Sequence, residues 1–354
     1  MDVEPGLRIA ILIPFTAATG VIESAQEIAV HLAGAGHAVT VFSAIRHDPR
    51  PTRGLREVHM HARPFTAPLV HALFLVRAAR GFDLVYAFFG SVTTGLWSLL
   101  SATPLWLNLD EEHRGRGWGR VGGRVALAAA SAVVVDSAST LEALRACHRR
   151  LPRVHVIPPG AAVSHADPEP LVDYELAPAC YYLVACPLTP ESHVREIIEG
   201  FLAAHSAFPL VIVGDFGRDS SYETGLRTLA GARVRFMGAV GDRARMRALH
   251  CHARAYFHGH AQGGGRTLLQ ALGCGNLVIA YDNARNREFA GELARYFVTA
   301  ADIPAAVAWA EDLDGPERRA LAAAARTHIR DAHAWERVAA LHLTALQELS
   351  APAT

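Results

Sequence analysis

Apolar residues along this chain follow two rhythms that take turns. Short runs rich in Val, Ile and Leu alternate with longer stretches in which apolar residues return every three or four positions. Arg8–Pro14 is a short run, and Gly20–Gly34 keeps helical spacing through Ile22, Ala25, Ile28, Ala29 and Leu32. Val39–Phe42, Leu84–Ala87, Pro104–Leu109, Ala132–Val135 and Val154–Ile157 read as further strands. Helices are predicted between them, for example around Val70–Arg80 and Thr140–His148. Apolar strands alternating with amphipathic helices are the pattern of a parallel sheet covered on both faces.

From Pro158 to Pro178 the chain is rich in Pro, Ala and acidic residues and has no period, so it reads as a linker. The pattern then restarts with strand Tyr181–Ala185, a helix near Val194–Ala204, and strands Pro209–Val213 and Val234–Met237. Helix Arg243–Cys251, strand Ala255–His258, helix Thr267–Gly273 and strand Asn276–Tyr281 follow, and from about Ile303 the chain is helical and Ala-rich. Two such halves predict two Rossmann-like parallel-sheet domains. A single doubly wound domain with a helical tail would have to hold too many strands. The expected boundaries are a first domain over 1–160, a linker over 161–178, a second domain over 179–330 and a closing helix over 331–354.

The 354 residues suit two domains of ordinary size, and half of them are hydrophobic. Formal charge is zero and there is no basic run, which argues against a nucleic-acid surface. All the cationic side chains are arginine. The absence of lysine rules out a lysine Schiff base, general base or phosphate ligand. Cys147, Cys180, Cys186, Cys251 and Cys274 lack C-x-x-C spacing and fit buried free thiols in a reducing compartment better than disulfides or zinc. The opening MDVEPG is acidic, and no apolar run has the length of a membrane span, so the expectation is a cytoplasmic protein without a secretory leader or an integral membrane segment.

The densest chemistry lies in His258–Glu288, HGHAQGGGRTLLQALGCGNLVIAYDNARNRE. Gly263, Gly264 and Gly265 can take backbone angles closed to other residues and let an anion approach the amides. Arg266 and Thr267 follow, and Leu268, Leu269, Ala271 and Leu272 then read as a helix, so the turn ends at a helix N-terminus suited to phosphate. A tight turn that needs glycine for sterics alone is the bland alternative. His258 and His260 are read as facing opposite sides of a strand end, as loop-ordering or sugar-facing groups and not metal ligands, because no carboxylate has zinc-site spacing to them.

This segment resembles the donor-site signature of the GT-B glycosyltransferases, specifically glycosyltransferase family 4. There a His-containing loop, a Glu-x7-Glu motif spanning a Gly-rich turn and helix, and an A-x-x-x-G-N-x-V-I-A strand follow one another. It is most similar to the rhamnosyltransferase-like branch through His258-Gly259-His260, Gly263-Gly264 and Asn283…Asn286-Arg287-Glu288. The likeness extends to the His37–Phe42 unit, Val135-Asp136-Ser137, Ile157-Pro158-Pro159-Gly160, Val211–Asp215, and Ala334–Ala339 as the helix that crosses back to the first domain.

The resemblance implies a GT-B fold and a metal-independent, retaining transfer of sugar from a nucleotide diphosphate sugar to a small acceptor in the interdomain cleft. The nucleotide sugar is a co-substrate, and no cofactor is implied. Donor-binding places fall on Gly20, Gly214, Gly263, Gly264, Gly265, Arg266, Thr267 and Gln270, and chemistry on Asp110, Arg266 and Gln262. Asp110 stands at the carboxyl end of a strand, where open α/β sheets bind ligands; Glu112 and His113 beside it stay undecided between acceptor contacts and a solvated loop. Thr16 and Thr19 could bond donor or acceptor, or Thr19 could simply cap the helix.

This chain departs from the family at its charges. Pro187 and Ser192 stand where an Arg and a Lys hold the diphosphate, and Gln262 and Gln270 stand where the two Glu belong. Arg266 is the candidate replacement cation, since a guanidinium can hold phosphate oxygens in bidentate fashion; Arg195 and Arg218 are less well placed. The altered site and Ala- and Arg-rich composition suggest specialised-metabolite, antibiotic-type biosynthesis. The alternative is a degenerate family member that binds a ligand or partner enzyme without transfer. A homodimer is compatible with either.

Overall fold

The structure is a computed structural model that describes residues 6–13, 19–43, 52–59, 81–88, 103–109, 118–215, 220–260 and 265–350. The chain divides into two compact units, one of Met1–Gly160 with Trp335–Thr354, the other of Ala161–Ala334.

The first unit holds a seven-stranded sheet in the order β3-β2-β1-β4-β5-β6-β7. Its strands are β1 (Arg8–Ile13), β2 (Ala38–Ser43), β3 (Leu55–His59), β4 (Leu84–Ala87), β5 (Leu105–Leu109), β6 (Ala132–Val135) and β7 (Arg153–Val156). Every pairing is parallel. Alternation sorts the side chains: Ile9, Ile11 and Ile13 join Tyr86, Trp106 and Val134 on one face, and Ala10 and Leu12 join Val85, Leu105, Leu107 and Val133 on the other. Helix α1 (Thr19–Gly34) covers the first face with Ile22, Ala25, Ile28 and Leu32. Helix α2 (Trp118–Ala129) covers the second with Ala126 and Leu127. Helix α3 (Ala138–Cys147) starts where the Ser137 hydroxyl accepts from the Thr140 amide.

The second unit holds a six-stranded parallel sheet in the order β10-β9-β8-β11-β12-β13. Its strands are β8 (Tyr182–Ala185), β9 (Leu210–Val213), β10 (Val234–Gly238), β11 (Ala255–His258), β12 (Val278–Tyr281) and β13 (Ala294–Phe297). One face packs on α6 (Arg243–His252), α7 (Gly265–Cys274) and α10 (Gly315–His328). The other packs on α4 (Val194–Ala203) and α9 (Ile303–Asp312). Helices α5 (Ser220–Leu229) and α8 (Ala284–Ala290) complete the unit. The aperiodic stretch 161–178 has its own packing: Ala161, Leu171 and Leu176 are buried in this core.

Helix α11 (Trp335–Ser350) belongs to the first unit, where Val338, Ala345 and Leu346 join the core beside α1. Its entry is tight. A Cβ at Gly160 would overlap the indole of Trp335, so only glycine lets the chain pass there. Tyr86 ties this helix to the sheet: its hydroxyl lies 3.0 Å from His342 Nε2 and accepts from Asn108 Nδ2 at 2.9 Å. Among the described residues no helix is long and apolar enough to cross a membrane.

Candidate functional site

In the second sheet the strand order reverses between β8 and β11. Loops leaving the carboxyl ends of two such strands diverge, and the crevice between them is where open α/β sheets take ligands. Here the loops are Cys186–His193 after β8 and Gly259–His260 after β11.

The two loops are locked together. A Cβ at Gly259 would strike the carbonyl oxygen of Ser192, so the backbones touch because residue 259 is glycine. His193, with φ 48°, turns the chain into α4; its Nδ1 lies 2.8 Å from the Gly259 carbonyl oxygen, and its ring stacks on Tyr281 at 3.9 Å. Asn283 Nδ2 and Asn286 Nδ2 each donate to the His260 carbonyl at 3.2 Å. Asn283 also caps α8 by accepting from the Asn286 amide at 2.8 Å. The Asn pair of the N-x-x-N-R-E loop therefore holds the β11 loop in shape.

His258 and His260 do not face opposite sides as expected. Their ring centroids are 5.4 Å apart. Residues two apart on an extended chain share a side, so the spacing itself predicts this. Both are buried. Burial, then Arg285 and His193, push His260 down to about 4. Burial, then His260, Arg285 and His250, hold His258 well below the ordinary imidazole value. Both rings are neutral at pH 7. His258 Nδ1 meets the Tyr256 hydroxyl at 3.3 Å, and that hydroxyl donates to the Ala185 carbonyl.

Helix α7 begins at Gly265, whose Cβ would collide with the Phe289 ring. That glycine is a packing requirement as well as a helix start. Gly265, Leu268, Leu269, Ala271 and Leu272 are buried, and Arg266, Thr267 and Gln270 form a half-buried stripe, three and four residues apart. Three candidate donor residues thus share one helix face. Gly214 follows β9 and is also tight: its Cβ would overlap the Cys186 carbonyl. Gly20 lies in the first turn of α1, in the other unit. Asp110, Gln262, Gly263, Gly264, Thr16, Arg218, Glu112 and His113 lie outside the described residues, as does the helix expected around Val70–Arg80.

Pro187 and Ser192, where the resemblance expects cations, belong to the β8 loop. Ser192 is fully buried and its hydroxyl donates to the Pro187 carbonyl at 2.7 Å, so it closes the β8 loop. Arg195 is half-exposed and faces Glu199 within its own helix at 3.4 Å. Arg285, which the sequence reading passed over, is 6% exposed, with its guanidinium 5.4 Å above the Phe289 ring that packs on Gly265. It acts electrostatically on both His258 and His260. Its signal was an arginine inside an otherwise polar Asn-capped turn, which reads as solvated until the turn is folded against α7. Among the described residues no cluster of three or more His, Cys, Asp or Glu could hold a metal ion.

No family model and no curated protein matches the sequence. Solved structures do match in shape. A sucrose-phosphate synthase from Thermosynechococcus elongatus superposes with a TM-score of 0.79 at 16% identity, over 98% of this chain and 100% of that one. HepE from Anabaena in complex with UDP-glucose gives 0.79 at 16% identity, over 97% and 100%. A glycosyltransferase from Rickettsia africae gives 0.77 at 14% identity, over 98% and 100%. At such identities the likeness is one of fold. The chain has the GT-B fold: two Rossmann-like parallel-sheet units, with the last helix returned to the first.

Proposed function

We propose that this protein is a glycosyltransferase that moves a sugar from a nucleotide diphosphate sugar to a small-molecule acceptor. The observation that carries the reading is the β8–β11 switch point, in a chain that shares its fold with HepE, a protein solved in complex with UDP-glucose. The Arg266–Thr267–Gln270 stripe is half-buried on α7, the helix that follows β11. The donor's diphosphate lies at the N-terminus of α7, beside Gly263, Gly264, Gly265 and Gly214. Gln270 hydrogen-bonds the ribose, and Arg266 supplies charge, with Arg285 adding to the positive field. Charge grows on the leaving diphosphate in the transition state, and fixed cations and a helix dipole stabilise it without reorganising. No metal is then needed. Asp110 and Gln262 are proposed to orient acceptor and sugar, and Gly20 to contact the donor.

The reading includes membership of glycosyltransferase family 4 near its rhamnosyltransferase-like branch, retention of configuration, a cytoplasmic location and a role in antibiotic-type biosynthesis. The burial of Ser192 and the presence of Pro187 favour a second reading, a binder that holds a nucleotide sugar without transferring it. A thermal-shift series with UDP, GDP, dTDP and ADP tests what both share. One of them, at about a hundred times its dissociation constant, should stabilise the protein by about 2.7 kcal/mol. No shift with any of the four overturns both readings. Turnover of a labelled nucleotide sugar with acceptor separates them.

A further inference from the structure

The five cysteines show no paired spacing in the sequence, but folding brings two together. Cys251 Sγ, near the end of α6, lies 2.8 Å from Cys274 Sγ, the last residue of α7. Both are free thiols. A disulfide bond is about 2.05 Å long, so closure asks for less than about 1 Å of side-chain movement. The backbone beside each sulfur is already tied, because Asn276 Nδ2 donates to the His250 carbonyl at 2.8 Å and Arg326 Nη2 donates to the Cys274 carbonyl at 2.7 Å.

The two thiols are unequal. Cys251 is half-buried, and its hydrogen bond with Cys274, then the guanidinium groups of Arg326 and Arg247, hold it below the ordinary thiol value. Cys274 is 2% exposed, and its bond to Cys251, then burial, push it up. An accessible, more acidic thiol backed by a buried one has the layout of an attacking and a resolving cysteine.

We propose that Cys251 and Cys274 form a redox-active dithiol, a modification site that takes low-molecular-weight disulfides such as oxidised glutathione. The Cys251 thiolate attacks one sulfur of the small disulfide; that S–S bond breaks, and the departing thiolate takes up a proton. Cys274 then gives up its proton as its sulfur attacks the Cys251 sulfur, and the second small thiolate leaves with that proton. Two protein thiols become one disulfide, and one small disulfide becomes two thiols. The bridge ties the end of α6 to the end of α7, the helix that begins at Gly265, and closes a span of 23 positions.

The test treats the full chain with oxidised glutathione, quenches with acid and maps the peptides by mass spectrometry. The expected product is a peptide pair joined through Cys251 and Cys274, lost on treatment with dithiothreitol. The exposed Cys147 and Cys180 carry only glutathione adducts. Cys274→Ser should convert the bridge into a lasting adduct on Cys251, and Cys251→Ser should leave Cys274 unmodified, with circular dichroism showing both variants folded. A lasting adduct on Cys251 in the native chain, or no reaction at either thiol, overturns the proposal. Neither outcome depends on whether the protein transfers sugar.

Discussion

Arg266 and Gln270 are one turn apart on α7, and both are half-buried on the same face. If Arg266 steadies the leaving diphosphate, Arg266→Ala should lower turnover by about a hundredfold or more and nucleotide binding by less, since a contact that strengthens in the transition state acts on rate. Arg266→Lys should recover only part, because the planar fork is lost. Gln270→Ala should weaken nucleotide binding by about 0.5–1.5 kcal/mol per lost hydrogen bond, and steady-state kinetics with calorimetric binding reads both effects. Wild-type turnover in Arg266→Ala would pass the role to another arginine, such as Arg285. A second residue-scale expectation concerns His250, which is fully buried with neither ring nitrogen hydrogen-bonded among the described residues. Burial pushes it from 6.5 down to about 4. Between those values the unfolded chain takes up a proton that the native chain refuses. Stability is therefore full above pH 6.5 and falls as pH drops toward 4, by about 1.4 kcal/mol per pH unit for such a group. His250→Leu should flatten the pH dependence of urea midpoints in that window by this amount; an unchanged slope would mean the ring is solvated.

At the scale of elements, the Tyr86 network joins β4, β5 and α11. His342 is buried, with Nδ1 2.9 Å from the Val338 carbonyl, so it donates there and its Nε2 is left to accept from the Tyr86 hydroxyl. Burial holds its ring neutral, down to about 4. Tyr86→Phe keeps the packing but strands that nitrogen and the Asn108 amide. The expected loss is about 1–3 kcal/mol in denaturant unfolding, larger than for a surface tyrosine. The strands read from apolar runs, such as Leu84–Ala87, Ala132–Val135 and Ala255–His258, stand where the pattern put them. Two strands did not show. Leu55–His59 is a half-exposed edge strand, and Ala294–Phe297 carries an arginine in a run of four. Both are defined by backbone pairing to β2 and β12, which leaves no apolar signature.

At the scale of the whole molecule, each unit has its own pair of cores. Differential scanning calorimetry should therefore resolve two transitions, and the matching nucleotide should raise the one that belongs to residues 161–334. Removing the chain after Ala334 takes Val338 and Leu346 out of the first unit's core, at roughly 1.5–3 kcal/mol for each large side chain. That truncation should lower the first unit's transition and leave the second in place. A single transition lost as a whole would show that the second unit depends on the returning helix.

The sequence by itself determined the alternation of parallel strands and helices, the α7 helix start behind glycines, and the lack of lysine. These are local properties, read from spacing and residue type. Only the tertiary structure decided which residues meet. It seated Leu171 and Leu176, in a stretch that reads as a linker, in the second unit's core. It buried Ser192 in its own loop, brought Arg285 within electrostatic reach of His258 and His260, and set Cys251 against Cys274 across 23 positions. Such contacts come from the crossovers that order the strands, and the spacing of residues along a chain carries no record of which crossover ends lie side by side.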